Sequence, residues 1–387
     1  MKFEDSDFKN YIKQNEKNQA IYVTRPYLPP LSEFLPYLEK IWDSGILTNS
    51  GTFHEEFENE LTQFLEIKYI SLFVNGTAAL MVALKALDID GEVITTPFSF
   101  VATSHVLSWN KIEPVFVDIE PEYLTLDPDK IKSVLTKKTK AILPVHVFGH
   151  PCKHNQISQI AEENNLKVIY DACHSFGVKF QGKSILNFGD LSVLSFHATK
   201  AFNTFEGGAI ISSSEKMKAK IDKLKNYGFV NEVSIEGIGI NGKMNEFQAA
   251  LGLLQLKYFE KQIAKRINIA ECYKAGLKEI PGISCIPVMK GLENTYPFFP
   301  VLVDEEKYGN SRDYIYSELK KKNIFTRRYF YPLISDLPTY RKLPSAAKNN
   351  LQVADRISKQ VLCLPIYSDL DTEIVLNIIE IIKRISV

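Results

Sequence analysis

Lys200 closes the run Ser195-Phe196-His197-Ala198-Thr199-Lys200, and Phe205-Glu206-Gly207-Gly208-Ala209 follows closely. Upstream, the apolar run Val168-Ile169-Tyr170 ends in Asp171. A carboxylate at a strand end and a lysine on a turn of small and hydroxyl residues suit one chemistry. The lysine holds pyridoxal phosphate as a Schiff base, and the carboxylate keeps the pyridine nitrogen protonated. A cationic ring nitrogen draws electrons from the carbon that loses a proton. The lysine must shed its own proton readily, and burial favours that. Each residue alone has a plainer reading, Asp171 as a turn or cap residue and Lys200 as a surface lysine. Phe196, Ala198, Ala201 and Phe202 set Lys200 in apolar or small company.

The phosphate of such a cofactor needs a cradle. Asn75-Gly76-Thr77-Ala78-Ala79 joins a predicted strand to a predicted helix. Gly76 lets the backbone approach an anion, the helix N-terminus offers free N–H groups, and Thr77 adds a hydroxyl. Ser195 can add a second hydroxyl. Alone, Asn-Gly-Thr is also an ordinary turn with an N-cap. His174 follows Asp171 and is placed either beside the ring or in a cap or core role. Phe100, after the strand at Thr95-Thr96-Pro97, is placed to lie on the ring, because ligands bind beyond the C-terminal ends of strands in α/β sheets.

These residues have to be carried by a sheet. Short apolar runs at Ile70–Phe73, Glu92–Thr95, Val115–Val117, Ala141–Val145, Val168–Asp171, Leu191–Phe196 and Ala209–Ser212 predict strands. Helical stretches at Phe57–Leu65, Thr77–Leu87, Val101–Trp109 and Asn155–Asn164 fall before and between them, which predicts an α/β sheet covered on both faces. Asn245 to Glu279 predicts a long helix, with Phe247, Leu251, Leu254 and Tyr258 spaced by three and four. Beyond it a smaller α/β unit is expected: strand Phe298–Val303, then helices Ser311–Lys321, Val353–Leu362 and Thr372–Ile385. The expected organisation is an N-terminal arm over 1–22, a large domain over 23–255 and a small C-terminal domain over 256–387.

The chain has 387 residues, more than a single core usually spans, and a formal net charge of zero. Neutrality argues against a nucleic-acid or membrane surface. No apolar leader and no run of eighteen apolar residues is present, so a cytoplasmic protein is expected. Five cysteines without C-x-x-C spacing read as reduced thiols, with no metal site among them.

Several runs occur in order: Gly76-Thr77-Ala78-Ala79-Leu80, Thr96-Pro97-Phe98-Ser99-Phe100-Val101-Ala102-Thr103, Val145-His146-Val147-Phe148-Gly149, Asp171-Ala172-Cys173-His174-Ser175-Phe176-Gly177, the Lys200 run, Glu206-Gly207-Gly208-Ala209, and Gly239-Ile240-Asn241-Gly242-Lys243-Met244-Asn245-Glu246. Together they resemble the DegT/DnrJ/EryC1/StrS sugar aminotransferases from about Val23 to the C-terminal helix. The resemblance implies the fold-type I pyridoxal-phosphate architecture: a mixed, mostly parallel seven-stranded sheet between helices, plus a smaller α/β domain. It implies that Lys200 bonds the cofactor and shuttles protons, and that Asp171 pairs with the pyridine nitrogen. Phe100 then stacks on the ring, His174 sits near its oxygen, and Gly76, Thr77 and Ser195 bind phosphate. Asn241 reaches the phosphate of the neighbouring subunit, so a homodimer with shared active sites is expected. The family often has Ser-Gly-Thr at Asn75-Gly76-Thr77, and tyrosine or arginine where Gly242-Lys243 stands, which leaves any substrate contact from that loop open.

The His197-Ala198 pair resembles the branch that aminates C4 of nucleotide-linked 4-keto-6-deoxy sugars; C3 enzymes more often carry Tyr-Pro there. The expected substrates are dTDP-4-keto-6-deoxy-D-glucose and L-glutamate, with pyridoxamine phosphate alternating with pyridoxal phosphate. Arg327, Arg328 and Tyr331 either contact the nucleotide or diphosphate or shape a structural loop. Two other readings stand beside a C3 aminotransferase: a sugar dehydratase of the same fold, whose branch replaces the lysine with histidine, and a sugar-nucleotide sensor without catalysis. Lys200 and Asp171 speak against both.

Overall fold

The computed structural model describes residues 20–386. Residues 1–19 of the expected arm lie outside the described residues. Its last two, Ile21–Tyr22, form a short strand parallel to Ile324–Phe325, so they are tied to the C-terminal unit.

Seven strands make the central sheet: β1 (Tyr69–Phe73), β2 (Glu92–Thr95), β3 (Glu113–Phe116), β4 (Thr139–Leu143), β5 (Lys167–Asp171), β6 (Leu191–Ser195) and β7 (Gly208–Ser212). Their order is β1-β7-β6-β5-β4-β2-β3. β7 runs antiparallel to both its neighbours, and every other pairing is parallel. Both faces are buried. Ile169 of β5 packs with Ala83, Val93 and Leu107 on one side, whereas Val168 and Tyr170 pack with Ile157 and Ala161 on the other. Each such apolar side chain contributes roughly 1.5–3 kcal/mol by leaving water. This is the mostly parallel seven-stranded sheet that the sequence predicts.

The long helix spans Glu246–Leu277 and opens with a capping box between Asn245 and Gln248. Its first half, through Leu254 and Phe259, belongs to the core against the sheet. Its second half, from Ile269 to Leu277, belongs to the C-terminal core. Between them Arg266 is buried and donates to the carbonyls of Tyr296 (2.9 Å) and Ile366 (3.2 Å).

The C-terminal unit carries a three-stranded antiparallel sheet, β8 (Ile283–Cys285), β9 (Phe299–Val303) and β10 (Val361–Leu364), with β9 in the middle. One expectation is corrected here: the helix predicted over Val353–Leu362 ends at Gln360, and the chain continues as β10. Val361, Leu362, Cys363 and Leu364 are all fully buried, and a run buried on every side shows no helical or strand period. Pro365 follows and disfavours helix before it. The helix Leu31–Ser44 was also not anticipated; it contains Pro36 in its first half, after the extended Pro26–Pro30 segment.

β7 threads between β1 and β6 at close quarters. Gly208 pairs with Phe73 on one side and Ser195 on the other. A Cβ on Gly208 would stand 2.6 Å from the carbonyl carbon of Asn75 and 2.7 Å from the nitrogen of Gly76. These are backbone atoms of the helix N-terminus just beyond β1, which have no side-chain freedom with which to yield. Gly208→Ala is expected to cost about 1–3 kcal/mol of stability by overpacking, read as a lower urea midpoint at unchanged slope.

Candidate active site

The ends of β1, β2, β5 and β6 converge on a cavity of about 390 Å³. Gly76, Thr77, Phe100, Asp171, His174, Ser195 and Lys200 all line it. Seven of the predicted cofactor-site residues, drawn from four separate stretches of sequence, thus face one space.

At one end lies the N-terminus of the helix Gly76–Ala86. Asn75 caps it, accepting from the Ala78 N–H at 2.8 Å. A Cβ on Gly76 would meet the Ser195 Cβ at 2.9 Å, so glycine there lets the turn close against β6. Thr77 and Ser195 bring hydroxyls to the same end.

Asp171 ends β5 and is 5% exposed. Its Oδ2 accepts from Thr103 Oγ1 at 2.8 Å and its Oδ1 from the Cys173 N–H at 3.2 Å. Thr103 lies on the helix Ala102–Trp109 after β2 and is 2.8 Å from Ser99 Oγ. Behind Asp171, His146 stacks on Tyr170 at 4.5 Å and its Nδ1 accepts from the Cys152 N–H. Burial pushes the His146 imidazole down to about 3.

Lys200 sits on the turn after β6, its N–H bonded to the His197 carbonyl at 2.8 Å. Its ammonium lies 5.8 Å from the centre of the Phe298 ring. Burial draws the Lys200 pKa below the ordinary lysine range, against the opposing pull of Cys173 and Asp171. His174 is held well below its usual range, chiefly by burial and then by the Lys200 charge. The Nδ1 of this neutral ring accepts from the Phe148 N–H at 3.2 Å, which leaves the proton on Nε2.

The cavity is walled further by Phe298, which the sequence did not single out, and by Tyr329 and Phe330 from within the aromatic run that Arg327, Arg328 and Tyr331 belong to. Phe298, Tyr329 and Phe330 come from the C-terminal part of the chain, and the rings of Phe330 and Phe148 lie nearly parallel to His174 (4° and 8°). No local pattern marks them, because only the tertiary fold brings them to the strand ends. His197, Thr199, Glu206 and Cys173 also line the cavity. Ser99 and Thr103 were legible in principle: two hydroxyl residues four apart at a helix start, just after a strand.

Four predicted residues lie elsewhere. Asn241 is exposed and does not line its own chain's cavity; it sits on a segment fixed by Val74 N–H to the Gly242 carbonyl (2.8 Å) and Gly242 N–H to the Lys225 carbonyl (2.9 Å). Lys243 beside it donates to Asn226 Oδ1 at 2.6 Å. Arg328 pairs with Asp313 at 2.9 Å and stacks on Tyr316, and Tyr331 lies under Arg312. Arg327 is exposed, and its backbone pairs with Cys363. None of Arg327, Arg328 and Tyr331 lines the cavity.

The arrangement fits pyridoxal phosphate. A glycine-walled helix N-terminus with two hydroxyls suits the phosphate, a buried carboxylate with no side-chain cation bonded to it suits a cationic ring nitrogen, and a lysine of lowered proton affinity suits the aldehyde. Among the described residues no cluster of His, Cys, Asp or Glu is arranged for a metal ion, and no helix is long and apolar enough to cross a membrane.

Comparison with known proteins agrees with this geometry. The sequence profile of the DegT/DnrJ/EryC1/StrS aminotransferase family matches residues 31–383. The chain is 50% identical over 366 residues to a dTDP-4-amino-4,6-dideoxy-D-glucose transaminase of Escherichia coli, covering 94% of this chain and 98% of that protein. It is 50% identical over 368 residues to the transaminase of the same name from Shigella dysenteriae, covering 95% and 99%. A crystal structure of DesI in the presence of its TDP-sugar product superposes with a TM-score of 0.90 at 32% identity, covering 95% of this chain and 93% of DesI.

The buried imidazoles give a pH dependence. His54 and His150 are each lowered to about 4 and His146 to about 3, against 6.5 when free, mainly by burial. The unfolded chain binds protons that the folded chain refuses between these values, so stability falls as pH drops from 6.5 toward 4. Each imidazole adds about 1.4 kcal/mol per pH unit to that slope. Urea unfolding at pH 7, 6 and 5 should show the loss, and His146→Asn should reduce the slope by about one proton.

Proposed function

This chain belongs to the DegT/DnrJ/EryC1/StrS aminotransferase family, and from that premise we propose that it carries an amino group from L-glutamate to C4 of dTDP-4-keto-6-deoxy-D-glucose. The observation that carries the chemistry is Lys200 and Asp171 facing one cavity with the Gly76–Thr77 helix N-terminus at its end. The choice of sugar is supported by the 50% identity to transaminases of that name.

Bound pyridoxal phosphate supplies an aldehyde that accepts an amine and a ring that withdraws electrons from the adjoining C–H bond. The chain supplies the rest. Gly76, Thr77 and Ser195 hold the phosphate, and Phe100, at the cavity rim, covers a ring face. Asp171 offers its carboxylate to the ring nitrogen. His174 presents its Nε2 proton to the cavity. Lys200 Nζ, its proton affinity lowered by burial, takes the proton from the carbon bearing the donor's amine and delivers it to the former aldehyde carbon on the other side of the nitrogen; the second half-reaction reverses the order. Because one cavity serves both substrates in turn, the kinetics are ping-pong.

A phosphate dianion here would meet few charges from this chain, since Lys200 is the one lysine or arginine among the described residues lining the cavity. Asn241, exposed on its own chain, is free to complete the site of a second copy, so the working unit is a homodimer. Its setting is the cytoplasm, and its product serves surface polysaccharide such as lipopolysaccharide O-antigen.

With L-glutamate the yellow holoenzyme should bleach and release 2-oxoglutarate; the keto sugar nucleotide should then restore the colour. NMR of the product should place the amine on C4, and an amine on C3 would move the enzyme to the other branch. Lys200→Ala should cut turnover about 10²–10⁴-fold. Mixing Lys200→Ala with Asn241→Ala chains tests the shared site. The mixed dimer has one cavity with Lys200 from one chain and Asn241 from the other, so activity should return on mixing. Failure to return would place Asn241 outside the partner's site.

A further inference from the structure

Asp171 lies in near-complete burial, and among the described residues its carboxylate accepts two hydrogen bonds, neither from a cation. An ionised carboxylate accepts hydrogen bonds and gives none. Thr103 therefore directs its single hydroxyl proton to Asp171 Oδ2. Its 2.8 Å contact with Ser99 can then run one way only, with the Ser99 hydroxyl donating to Thr103 Oγ1. Both residues are buried at the wall of the cavity, Thr103 fully and Ser99 to 5% exposure. Ser99 and Thr103 stand four apart, and the Thr103 N–H closes onto the Phe100 carbonyl at 3.1 Å, which fixes the spacing. Two aligned O–H dipoles thus end on the carboxylate, and chains of this kind strengthen each other where the dielectric is low.

We infer that Ser99 and Thr103 are positioning residues for the transamination: a directed hydroxyl relay that fixes the Asp171 side chain where it can meet the cofactor's ring nitrogen. The inference rests on the pyridoxal phosphate reading above and adds two residues that act through Asp171. The helix after β2 thereby tunes a carboxylate on β5, across the strand between them.

The test titrates the visible absorbance of the holoenzyme against pH and measures steady-state rates, for wild type, Thr103→Val, Thr103→Ser and Ser99→Ala. Valine keeps the volume and removes the donor. With the carboxylate less well fixed, its pairing with the ring nitrogen weakens, that nitrogen keeps its proton less firmly, and the lysine-bound chromophore becomes more basic. The absorbance midpoint of Thr103→Val should rise by about one pH unit, and kcat should fall about ten- to fiftyfold. KM for L-glutamate should change by less than about threefold, since the relay touches neither substrate. Thr103→Ser should restore midpoint and rate, and Ser99→Ala should shift both the same way by less. A wild-type midpoint and kcat in Thr103→Val would overturn the inference. If Thr103→Val fails to take up cofactor, Ser99→Ala decides, and an unchanged midpoint there overturns it. Borohydride reduction of the wild type keeps the two readings apart. No label on Lys200 sinks the cofactor assignment itself, whereas a labelled wild type beside an unshifted valine variant sinks only the relay.

Discussion

Two backbone segments approach so closely at Gly208 and the Asn75–Gly76 peptide that no side chain fits between them. The cavity is laid out from that contact. Because β7 can pass there, β1 and β6 stand one strand apart, and the helix N-terminus after β1 closes against Ser195 at the end of β6. The turn that follows β6 then delivers Lys200 back over the same strand ends. Parallel strands β6, β5, β4 and β2 all finish on that side, so Asp171 from β5 and Thr103 from the segment after β2 arrive without further design. Loosening the crossing would separate the phosphate-suited end of the cavity from the proton-moving end.

The electrostatics follow from how little water and how few charges reach this space. Burial lowers the proton affinity of Lys200, burial and then the Lys200 charge keep His174 neutral, and hydrogen bonds rather than cations accompany the Asp171 carboxylate. Arginine pairing would have neutralised Asp171 within the chain and left it little to offer a ligand. The aromatic wall of Phe298, Tyr329 and Phe330 adds area without adding charge. A group that shuttles protons between two carbon positions benefits from such a setting, because a lysine of lowered proton affinity gives up and takes back its proton readily.

Much of this was legible in the sequence. Gly76, Thr77, Asp171, Ser195 and Lys200 lie on strand-to-turn segments whose local pattern states both their element and its end, so residues and sheet could be read together. What was not legible depended on distance. Phe298 and Phe330 meet Phe148 and His174 across more than a hundred residues, and nothing near them announces it. The helix Gln352–Gln360 has no cap of its own: Asp118 receives the N–H groups of Val353 (3.0 Å) and Ala354 (2.8 Å) from afar. Glu246 does the same for Phe53 and His54 at the start of Thr52–Phe64. The β10 strand was read as helix because a fully buried run has no polar face to give its period away. Arg327, Arg328 and Tyr331 read in one dimension as either nucleotide contacts or a structural loop; in three, Arg328 and Tyr331 stack with Asp313, Tyr316 and Arg312.

The Glu246–Leu277 helix is common to both cores, so its elasticity becomes a property of the whole enzyme. At about 1.5 Å per residue it is a rod of roughly 48 Å. A flexure of a few degrees near Arg266 displaces the far core by roughly one or two ångströms, and long helices bend on that scale. The aromatic wall, by contrast, packs with Phe98 and Phe148 at the strand ends, so the cavity keeps its own lining whatever the curvature of that rod.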